Sequence, residues 1–388
     1  MNLAFALYKY FPFGGLQRDC IAIARACVAS GARVRVYALQ WQGDVPEGVE
    51  VYLVSVRGLT NHARYARFHR ELQRLVARDA PDVVVGFNKM PGLDIYYAAD
   101  SCFAERVVQH AGWYRHTPRA RHFLNAERSV FGTGSAPQIL LLSETHQQTY
   151  MRHYGTDASR MHVLPPGIAR DRMAAENALE LRKSLRDELA IGANEYLVLL
   201  IGSGFVTKGL DRALRAVAAL PSILRDRVQF VAVGEDAPGK FLAMAKRLGI
   251  SGRVRILPGR SDVPRLLQGA DLLIHPAHVE NTGTVLLEAV VAGLPVLTLD
   301  VCGFAPYVQA ANAGVVLPSP FDQQTLNTTL TDMLVAPERD CWRANGIAFG
   351  KREALYNMPE AAAAIIGETV AMAVARRSSM SRMSRSAW

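Results

Sequence analysis

Short apolar runs alternate with amphipathic, helix-length segments along most of the chain. In the first half, residues 16–29 and 61–78 have the 3.6-residue spacing of a helix that buries one face. The apolar runs around them have the length of buried strands and lie at residues 3–7, 34–37, 51–56, 83–86 and 139–142. Strands that alternate with helices in this way predict a parallel sheet with helices on both faces.

The same alternation starts again after the segment Leu164-Pro165-Pro166-Gly167, where two prolines stop regular structure. The second set of predicted strands lies at residues 197–201, 229–233, 254–257, 272–274 and 296–298. We therefore predict an α/β protein with two Rossmann-like domains, residues 1–167 and 168–358, which face each other across a cleft. Ligands of such sheets bind at the carboxyl ends of the strands, so the cleft is the predicted site.

The end of the chain has a different composition. The Ala-rich residues 359–375 predict a long helix, which we expect to pack back on the N-terminal domain. Residues 376–388 contain four arginines, five serines and no acidic residue, which predicts a basic disordered tail. No uninterrupted apolar run reaches the roughly 20 residues that a membrane-spanning helix needs.

Composition narrows the class of protein and of partner. The 388 residues are half apolar and one fifth charged, which is typical of a globular protein. Lysine and arginine outnumber aspartate and glutamate by 44 to 35, and the net charge of +9 favours nucleic acid, anionic lipid or phosphorylated glycan as a partner. The five scattered cysteines form no Cys-x-x-Cys pair, which favours a reducing cytoplasm over a disulfide framework or a zinc site.

The strongest chemical signal lies in residues 275–289, where Glu280 and Glu288 are separated by seven residues. Gly283 and Thr284 come at the predicted start of a helix, where free backbone N–H groups favour a phosphate. Glu288 lies in an apolar stretch, so its carboxylate is expected to accept hydrogen bonds from a ligand, and ribose hydroxyls suit it. A helix glutamate that faces solvent is the alternative.

Two glycine-rich loops follow predicted strands. Gly14 and Gly15 open the first helix and allow a close approach to a phosphate or a sugar oxygen, although glycine pairs are also common in turns. The loop that begins at Gly202 ends at Lys208, and a lysine at a helix start can neutralise a diphosphate; a surface lysine is the alternative. The glycine spacing fits neither a dinucleotide fingerprint nor a P-loop.

Residues 102–131 combine arginines with aromatic residues. We expect this segment to lie on an anionic membrane surface, since basic and interfacial aromatic side chains together favour that environment; a solvated surface is the alternative. Arginines 64 to 78 of the second predicted helix enlarge the basic surface. No nucleic-acid-binding module accompanies the charge, so nucleic acid is not a predicted partner. The basic and aromatic residues of the segment are Arg106, Arg115, Arg119, Arg121 and Arg128, with Trp113, Tyr114 and Phe123.

Together with the glutamate pair, residues 8–19, 85–94 and 164–168 resemble retaining glycosyltransferases of the GT-B fold, and among these the lipopolysaccharide core (heptosyl I) α-1,3-glucosyltransferases. The resemblance extends from Met1 to about Gly367. It implies UDP-glucose as donor, the inner-core heptose of lipopolysaccharide as acceptor, and no metal or other cofactor. The sequence also has no Asp-x-Asp pair to hold a metal. The implied location is cytoplasmic, peripherally associated with the inner membrane.

The resemblance also implies roles for individual residues. Glu280 would hold the glucose hydroxyls and Glu288 the ribose, while Lys208 and Arg172 would clamp the diphosphate. Asp19 and Asp100 would line the sugar and acceptor side. The predicted catalytic residues are Glu280, Lys208, Arg172 and Asp19, and the predicted donor-binding residues are Gly14, Gly15, Arg172, Lys208, Arg260, Glu280, Gly283, Thr284 and Glu288.

One departure from the family pattern leaves the donor sugar open. The family places an arginine beside the lysine of the clamp, whereas Thr207 stands there in this chain. Another UDP-sugar is therefore an alternative donor. A nucleotide-sugar epimerase, a nicotinamide oxidoreductase and a non-catalytic glycan-binding protein are the alternative functions.

Overall fold

The computed structural model describes residues 1–12, 14–108 and 110–385, without the side chains of Glu353 and residues 376–385. The chain divides into two compact units, Met1–Gly167 with Asn357–Trp388, and Ile168–Tyr356. We call them the N-terminal unit and the C-terminal unit. Over the described residues, each unit contains one parallel sheet, with seven strands in the first and six in the second.

The N-terminal sheet has the strand order β3-β2-β1-β4-β5-β6-β7. Its strands are β1 (Asn2–Tyr10), β2 (Arg33–Trp41), β3 (Val49–Leu53), β4 (Val83–Gly86), β5 (Ile95–Ala98), β6 (Gln138–Leu141) and β7 (Met161–Val163). The helices that connect them are α1 (Gly15–Ala29), α2 (Asn61–Asp79), α3 (Phe103–Val108), α4 (Pro118–Phe131) and α5 (Glu144–Tyr154). Alternate residues of β1 pack on opposite faces: Phe5 lies in the cluster with α1, and Ala6 in the cluster with α2 and α4.

The C-terminal sheet has the order β10-β9-β8-β11-β12-β13. Its strands are β8 (Tyr196–Ile201), β9 (Val228–Val233), β10 (Val254–Leu257), β11 (Leu272–His275), β12 (Val296–Leu299) and β13 (Gly314–Leu317). The helices are α6 (Ala178–Glu188), α7 (Leu210–Ala218), α8 (Ser222–Arg225), α9 (Gly239–Arg247), α10 (Val263–Gly269), α11 (Thr284–Val291), α12 (Ala305–Ala310), α13 (Gln323–Val335) and α14 (Arg339–Phe349). β8 and β9 are continuous apolar runs because helices cover both of their faces.

The last helix, α15 (Met358–Arg385), packs against α1 within the N-terminal unit. Met358, Ala362, Ile366 and Val370 recur every four residues and are buried in the core cluster that contains α1. Met358–Ala375 is also long and apolar enough to cross a membrane by length and composition, with a mean hydropathy of 1.3. The stripe packed beside α1 is one part of this apolar surface, whereas Met372 and Val374 are about half exposed.

Two sequence predictions differ from this fold. The last helix continues to Arg385, beyond the predicted end at Ala375, because residues 376–385 contain no proline or glycine to stop it. The rest of the predicted disordered tail, residues 386–388, lies outside the described residues. The strands at residues 95–98, 161–163 and 314–317 were not predicted from the apolar pattern. Tyrosines in β5 and a histidine in β7 interrupt the aliphatic pattern, and β13 begins at a glycine and has only three apolar residues.

A buried ion pair attaches the segment 102–131 to the N-terminal sheet. Glu127 of α4 is fully buried, and its Oε1 lies 2.5 Å from the Lys89 ammonium. Its two carboxylate oxygens also accept the amides of Phe103 and Ala104 at the start of α3, at 2.8 and 2.9 Å, and the Tyr154 hydroxyl at 2.7 Å. Burial would raise the pKa of Glu127, but the Lys89 charge and these donors outweigh it and lower the pKa.

We expect Glu127→Gln to lower the free energy of unfolding by about 3–5 kcal/mol, because it leaves the Lys89 charge buried without a counterion. Glu71→Gln is the matched control, since Glu71 pairs with Arg74 on an exposed face of α2 and should change stability by less than about 1 kcal/mol. Urea unfolding followed by circular dichroism measures both. Equal urea concentrations at the unfolding midpoint for the two variants would contradict a stabilising role of the Glu127–Lys89 pair.

Candidate functional site

Within the C-terminal unit, two loops at the carboxyl edge of the sheet are bonded together. The loop after β8 covers residues 202–209, and the loop after β11 covers residues 276–283. The Thr207 carbonyl accepts the amides of His278 and Val279 at 2.8 and 3.3 Å. Gly209 has φ of +75°, and a Cβ there would lie 2.0 Å from the Pro276 carbonyl oxygen. Only glycine allows this approach, which places Lys208 beside Glu280.

Glu280 is the centre of a compact charged group. Its Oε2 is ion-paired with the Lys208 ammonium and lies 3.0 Å from His275 Nε2, and its Oε1 accepts the Asn281 amide at 3.0 Å. Burial would raise the pKa of Glu280, but the His275 hydrogen bond and the Lys208 charge lower it to about 2. Glu280 is therefore an ionised, fixed carboxylate that can accept hydrogen bonds from the hydroxyl groups of a ligand. Beside it, Lys208 can neutralise an anionic group.

The start of α11 carries the second predicted glutamate. Gly283 precedes the helix with φ of +72°, and Thr284 is its first residue, so the first-turn amides point away from the helix body. Glu288, one turn further on, is 4% exposed, and its Oε1 lies 3.3 Å from Nε of Arg172, which is 7% exposed. Among the described residues, Nη1 of Arg172 has no hydrogen-bond partner. This buried pair therefore contains one hydrogen-bond donor that no described protein group satisfies.

Arg172 was predicted to clamp the diphosphate, and in the structure it lies beside Glu288, the predicted ribose-binding residue. In the structure, Arg172 neutralises Glu288 first, because two buried opposite charges must pair. Arg260 is also engaged by protein groups: it donates to Asp262 at 2.6 and 2.7 Å and to Glu188 at 2.8 Å. Lys208 is paired too, with Glu280, so each of the three predicted cations has an acidic partner in the structure.

The acids after β9 support loops. Asp236 accepts the amides of Gly204 and Phe205, and Glu235 accepts the Gly259 amide at 2.9 Å. An acid in this position, after the strand that follows a glycine-rich loop, is also where a dinucleotide site has its ribose-binding acid. The hydrogen bonds of Asp236 and Glu235 to backbone amides account for them without a nucleotide.

In the N-terminal unit, α1 begins at the predicted glycine pair, although neighbouring Phe13 lies outside the described residues. A Cβ on Gly14 would lie 1.8 Å from Gln17 Oε1, so a larger residue there would displace the end of the Gln17 side chain. Gly15 is exposed, with no atom near the position of a Cβ. Asp19, in the second turn, accepts the buried Tyr97 hydroxyl at 2.8 Å. Gly15 is therefore open to a ligand, and Asp19 has a fixed carboxylate.

A cavity of about 530 Å³ lies under residues 102–131 in the same unit, and the apolar pattern did not predict it. Tyr114 and Phe123, which were expected to face a membrane, line this cavity, whereas Trp113 is 70% exposed. Phe123 lies on α4, which packs on α2, and Tyr114 lies in the 3₁₀ turn Gly112–His116 before it. Both rings are half-buried, so Trp113 is the aromatic residue of the segment that is most open to a membrane.

Sequence and structure comparisons identify the class of protein. The family model "Glycosyltransferase Family 4" matches residues 13–172, and "Glycosyl transferases group 1" matches residues 182–348. Lipopolysaccharide glucosyltransferase WaaG of Escherichia coli (strain K12) is 45% identical over 368 residues, which cover 94% of this chain and 98% of that protein. The chain belongs to the WaaG family of glycosyltransferases.

Solved structures agree with this assignment. The crystal structure of WaaG, a glycosyltransferase involved in lipopolysaccharide biosynthesis, has a TM-score of 0.91 at 44% identity, over 94% of this chain and 99% of that chain. Anabaena Alr3699/HepE in complex with UDP-glucose has a TM-score of 0.74 at 18% identity, over 95% and 100% of the two chains, and shares the fold. The predicted GT-B fold and glycosyltransferase class are confirmed.

Several residues of the site went unassigned at the sequence level. His275 contacts Glu280 although it belongs to the preceding strand, and its position five residues before Glu280 was the available signal. Lys89 and Glu127 are 38 positions apart, and no local pattern connects them.

Among the described residues, no group of three His, Cys, Asp or Glu side chains could hold a metal ion.

We expect Glu280→Gln to lower kcat for sugar transfer by about 100-fold or more, because a neutral amide stabilises neither the Lys208 charge nor developing charge on the sugar. Glu235→Gln is the control, since this exposed acid bonds only a loop amide and should stay near the parent rate. Steady-state kinetics, with circular dichroism to check folding, measures both. A folded Glu280→Gln variant with the kcat of the parent would show that Glu280 is not part of the catalytic site.

Proposed function

We propose that this protein transfers glucose from UDP-glucose to the inner-core heptose of lipopolysaccharide, with retention of configuration and without a metal ion. The observation that carries the proposal is the 45% identity to lipopolysaccharide glucosyltransferase WaaG over 94% of the chain. The Lys208–Glu280–His275 group supports it, because a fixed carboxylate beside a cation suits a sugar joined to a diphosphate.

The donor contacts follow from the C-terminal unit. Glu280 accepts the glucose hydroxyls, and Lys208 with the first amides of α11 binds the diphosphate. Glu288 accepts the ribose hydroxyls, and the remaining Arg172 donor completes that subsite. Nucleotide binding of this kind has a parallel in Alr3699/HepE, a protein of the same fold that was solved with UDP-glucose.

The reaction is a front-face displacement. The acceptor hydroxyl oxygen bonds to the anomeric carbon as the bond to the UDP oxygen breaks on the same side, and the departing phosphate oxygen takes the hydroxyl proton. Negative charge grows on that phosphate, so fixed donors around it lower the barrier. Lys208 and the α11 amides are these donors, and no side-chain nucleophile takes part.

A second candidate is transfer of another UDP-sugar, and Thr207 is the observation that favours it. The Thr207 hydroxyl donates to the Gly204 carbonyl at 2.8 Å, so it folds back on its own loop. Lys208 is thus the one cation that this loop offers to the diphosphate, among the described residues 202–209. The donor sugar is therefore best assigned by comparing the rates of transfer from different UDP-sugars.

UDP release from a panel of UDP-glucose, UDP-galactose, UDP-N-acetylglucosamine and UDP-glucuronic acid, each with deacylated core oligosaccharide, tests the proposal. We expect acceptor-dependent release that is fastest with UDP-glucose and unchanged by excess chelator. Release that is fastest with another sugar would replace the donor. Free epimerised nucleotide sugar, tight NADH binding, or no release with any donor would favour the alternative functions. If excess chelator abolished UDP release and added metal restored it, the proposal of a metal-free reaction would be overturned.

The acceptor of this proposal is anchored in lipid, so the protein works as a cytoplasmic enzyme peripherally associated with the anionic inner membrane through residues 102–131. The 3₁₀ turn Gly112–His116 supports this, because it exposes Trp113 beside Arg115. Val108 is 74% exposed, and Arg121 projects from α4 into solvent. An exposed tryptophan flanked by arginines is suited to the headgroup region of an anionic bilayer.

We expect Arg115→Gln with Arg121→Gln to weaken binding to anionic vesicles by about 30-fold, since each arginine contributes on the order of 1 kcal/mol of attraction. Lys246→Gln with Arg247→Gln removes the same charge from α9 of the C-terminal unit and is the control. Vesicle sedimentation at two salt concentrations measures both, and added salt should weaken parental binding. Equal sedimentation of both double variants and the parent would place the contact elsewhere.

A further inference from the structure

The cavity of the N-terminal unit has the composition of a saccharide site. It lies at the carboxyl ends of β1, β4 and β5, and its volume of about 530 Å³ falls in the range of small-ligand pockets. Residues after β4 and β5 supply polar groups, and described residues of α3, of the 3₁₀ turn Gly112–His116 and of α4 supply the other wall.

A row of aromatic rings lines this cavity. Tyr8 and Tyr65 are stacked with ring centroids 3.9 Å apart, Phe123 lies edge-on to Tyr65 at 6.3 Å, and Phe103 lies 5.3 Å from Phe123. Each of the four residues contributes to the lining. Such a row offers apolar faces against which the C–H faces of a sugar can pack.

The polar groups of the cavity suit sugar hydroxyls. Oδ1 of Asn88 accepts the Tyr8 amide at 2.8 Å, so its NH₂ group is the donor that remains. The Asp100 carboxyl is exposed to the cavity and forms no hydrogen bond within the described residues. Loss of hydration among the surrounding protein groups raises the pKa of Asp100, while the nearby Lys89 charge opposes that shift. Asp100 is an acceptor without a protein partner.

Two arginines on the wall distinguish the ligand class. Arg106 of α3 and Arg119 of α4 both line the cavity and are exposed. Neither guanidinium forms a salt bridge across the part of the chain that the structure describes, although Arg106 is near enough to Asp100 to lower its pKa. The neighbouring Arg115 and Arg121 do not line the cavity. Guanidinium groups bind carboxylates and phosphates in a planar, bidentate geometry.

We propose that this cavity binds an anionic sugar unit of the acceptor, one that carries a carboxylate or a phosphate, through Arg106 and Arg119. The segment 102–131 then has two functions that are divided between its faces. Arg115 and Arg121 contact the membrane, and Arg106 and Arg119 contact the glycan. The inference rests on the proposed function for the identity of the acceptor.

The wall is fixed in place before a ligand arrives. Glu127 holds the first amides of α3 and also pairs with Lys89, which itself lines the cavity. The Lys89 ammonium donates to the Ser101 carbonyl at 2.8 Å as well. Both bonds of Lys89 go to protein groups, so Arg106 and Arg119 are the permanent cations that the described lining offers to a ligand.

Calorimetry without donor tests the site directly, with deacylated lipopolysaccharide core oligosaccharide as the probe. We expect Arg106→Gln with Arg119→Gln to weaken oligosaccharide binding by about 10-fold or more, because two charge-assisted hydrogen-bonding groups are lost. Its sedimentation with anionic vesicles should stay within about threefold of the parent. Arg115→Gln with Arg121→Gln, a variant of equal charge, should show the opposite pattern.

Two modified probes distinguish the anionic groups. Dephosphorylated oligosaccharide and carboxyl-reduced oligosaccharide are titrated into the parent protein. The probe that binds more weakly identifies whether the arginines bind the phosphate or the carboxylate. Parental affinity for both, or parental oligosaccharide affinity of Arg106→Gln with Arg119→Gln, would overturn the proposal. If the parent protein bound the oligosaccharide but released no UDP, the cavity would still be a glycan-binding site. The proposed transferase function would then be wrong.

Discussion

Buried glutamates must be paired with cations, and much of this structure is arranged around that requirement. Glu127, Glu280 and Glu288 are all buried, and their partners are Lys89, Lys208 and Arg172. A carboxylate taken from water without a partner costs several kcal/mol, so each pair determines where its loop can lie. One pair fixes the segment 102–131, and the other two form the charged part of the candidate donor site.

The same requirement explains how far the sequence could predict the site. Glu288 was identified because a carboxylate in an apolar stretch is conspicuous on its own, and Glu280 because seven residues separate it from Glu288. The partner of Glu288 could not be identified in this way, since Arg172 is 116 positions away and a tertiary contact brings it there. Arg172 was accordingly assigned to the diphosphate, whereas the structure places it against Glu288.

For the fold, the sequence was informative where apolar runs are long. β8 and β9 are six residues long and buried on both faces, so their positions followed from the pattern alone. The side of a helix that faces inward was harder to predict. Tyr114 and Phe123 combine aromatic rings with basic neighbours, a pattern that fits a membrane surface and a pocket wall equally well. Tertiary packing, such as that of α4 on α2, is what brings these two rings to the wall of the cavity.

The position of α15 has a consequence for how the protein forms during synthesis. The chain leaves the N-terminal unit at Gly167, builds the whole C-terminal unit, and returns at Asn357. The core beside α1 includes Met358, Ile366 and Val370, so it stays incomplete until those residues have left the ribosome. The C-terminal unit, whose residues are contiguous, can fold earlier. For the time needed to translate it, the nascent N-terminal unit exposes an apolar surface that chaperones recognise.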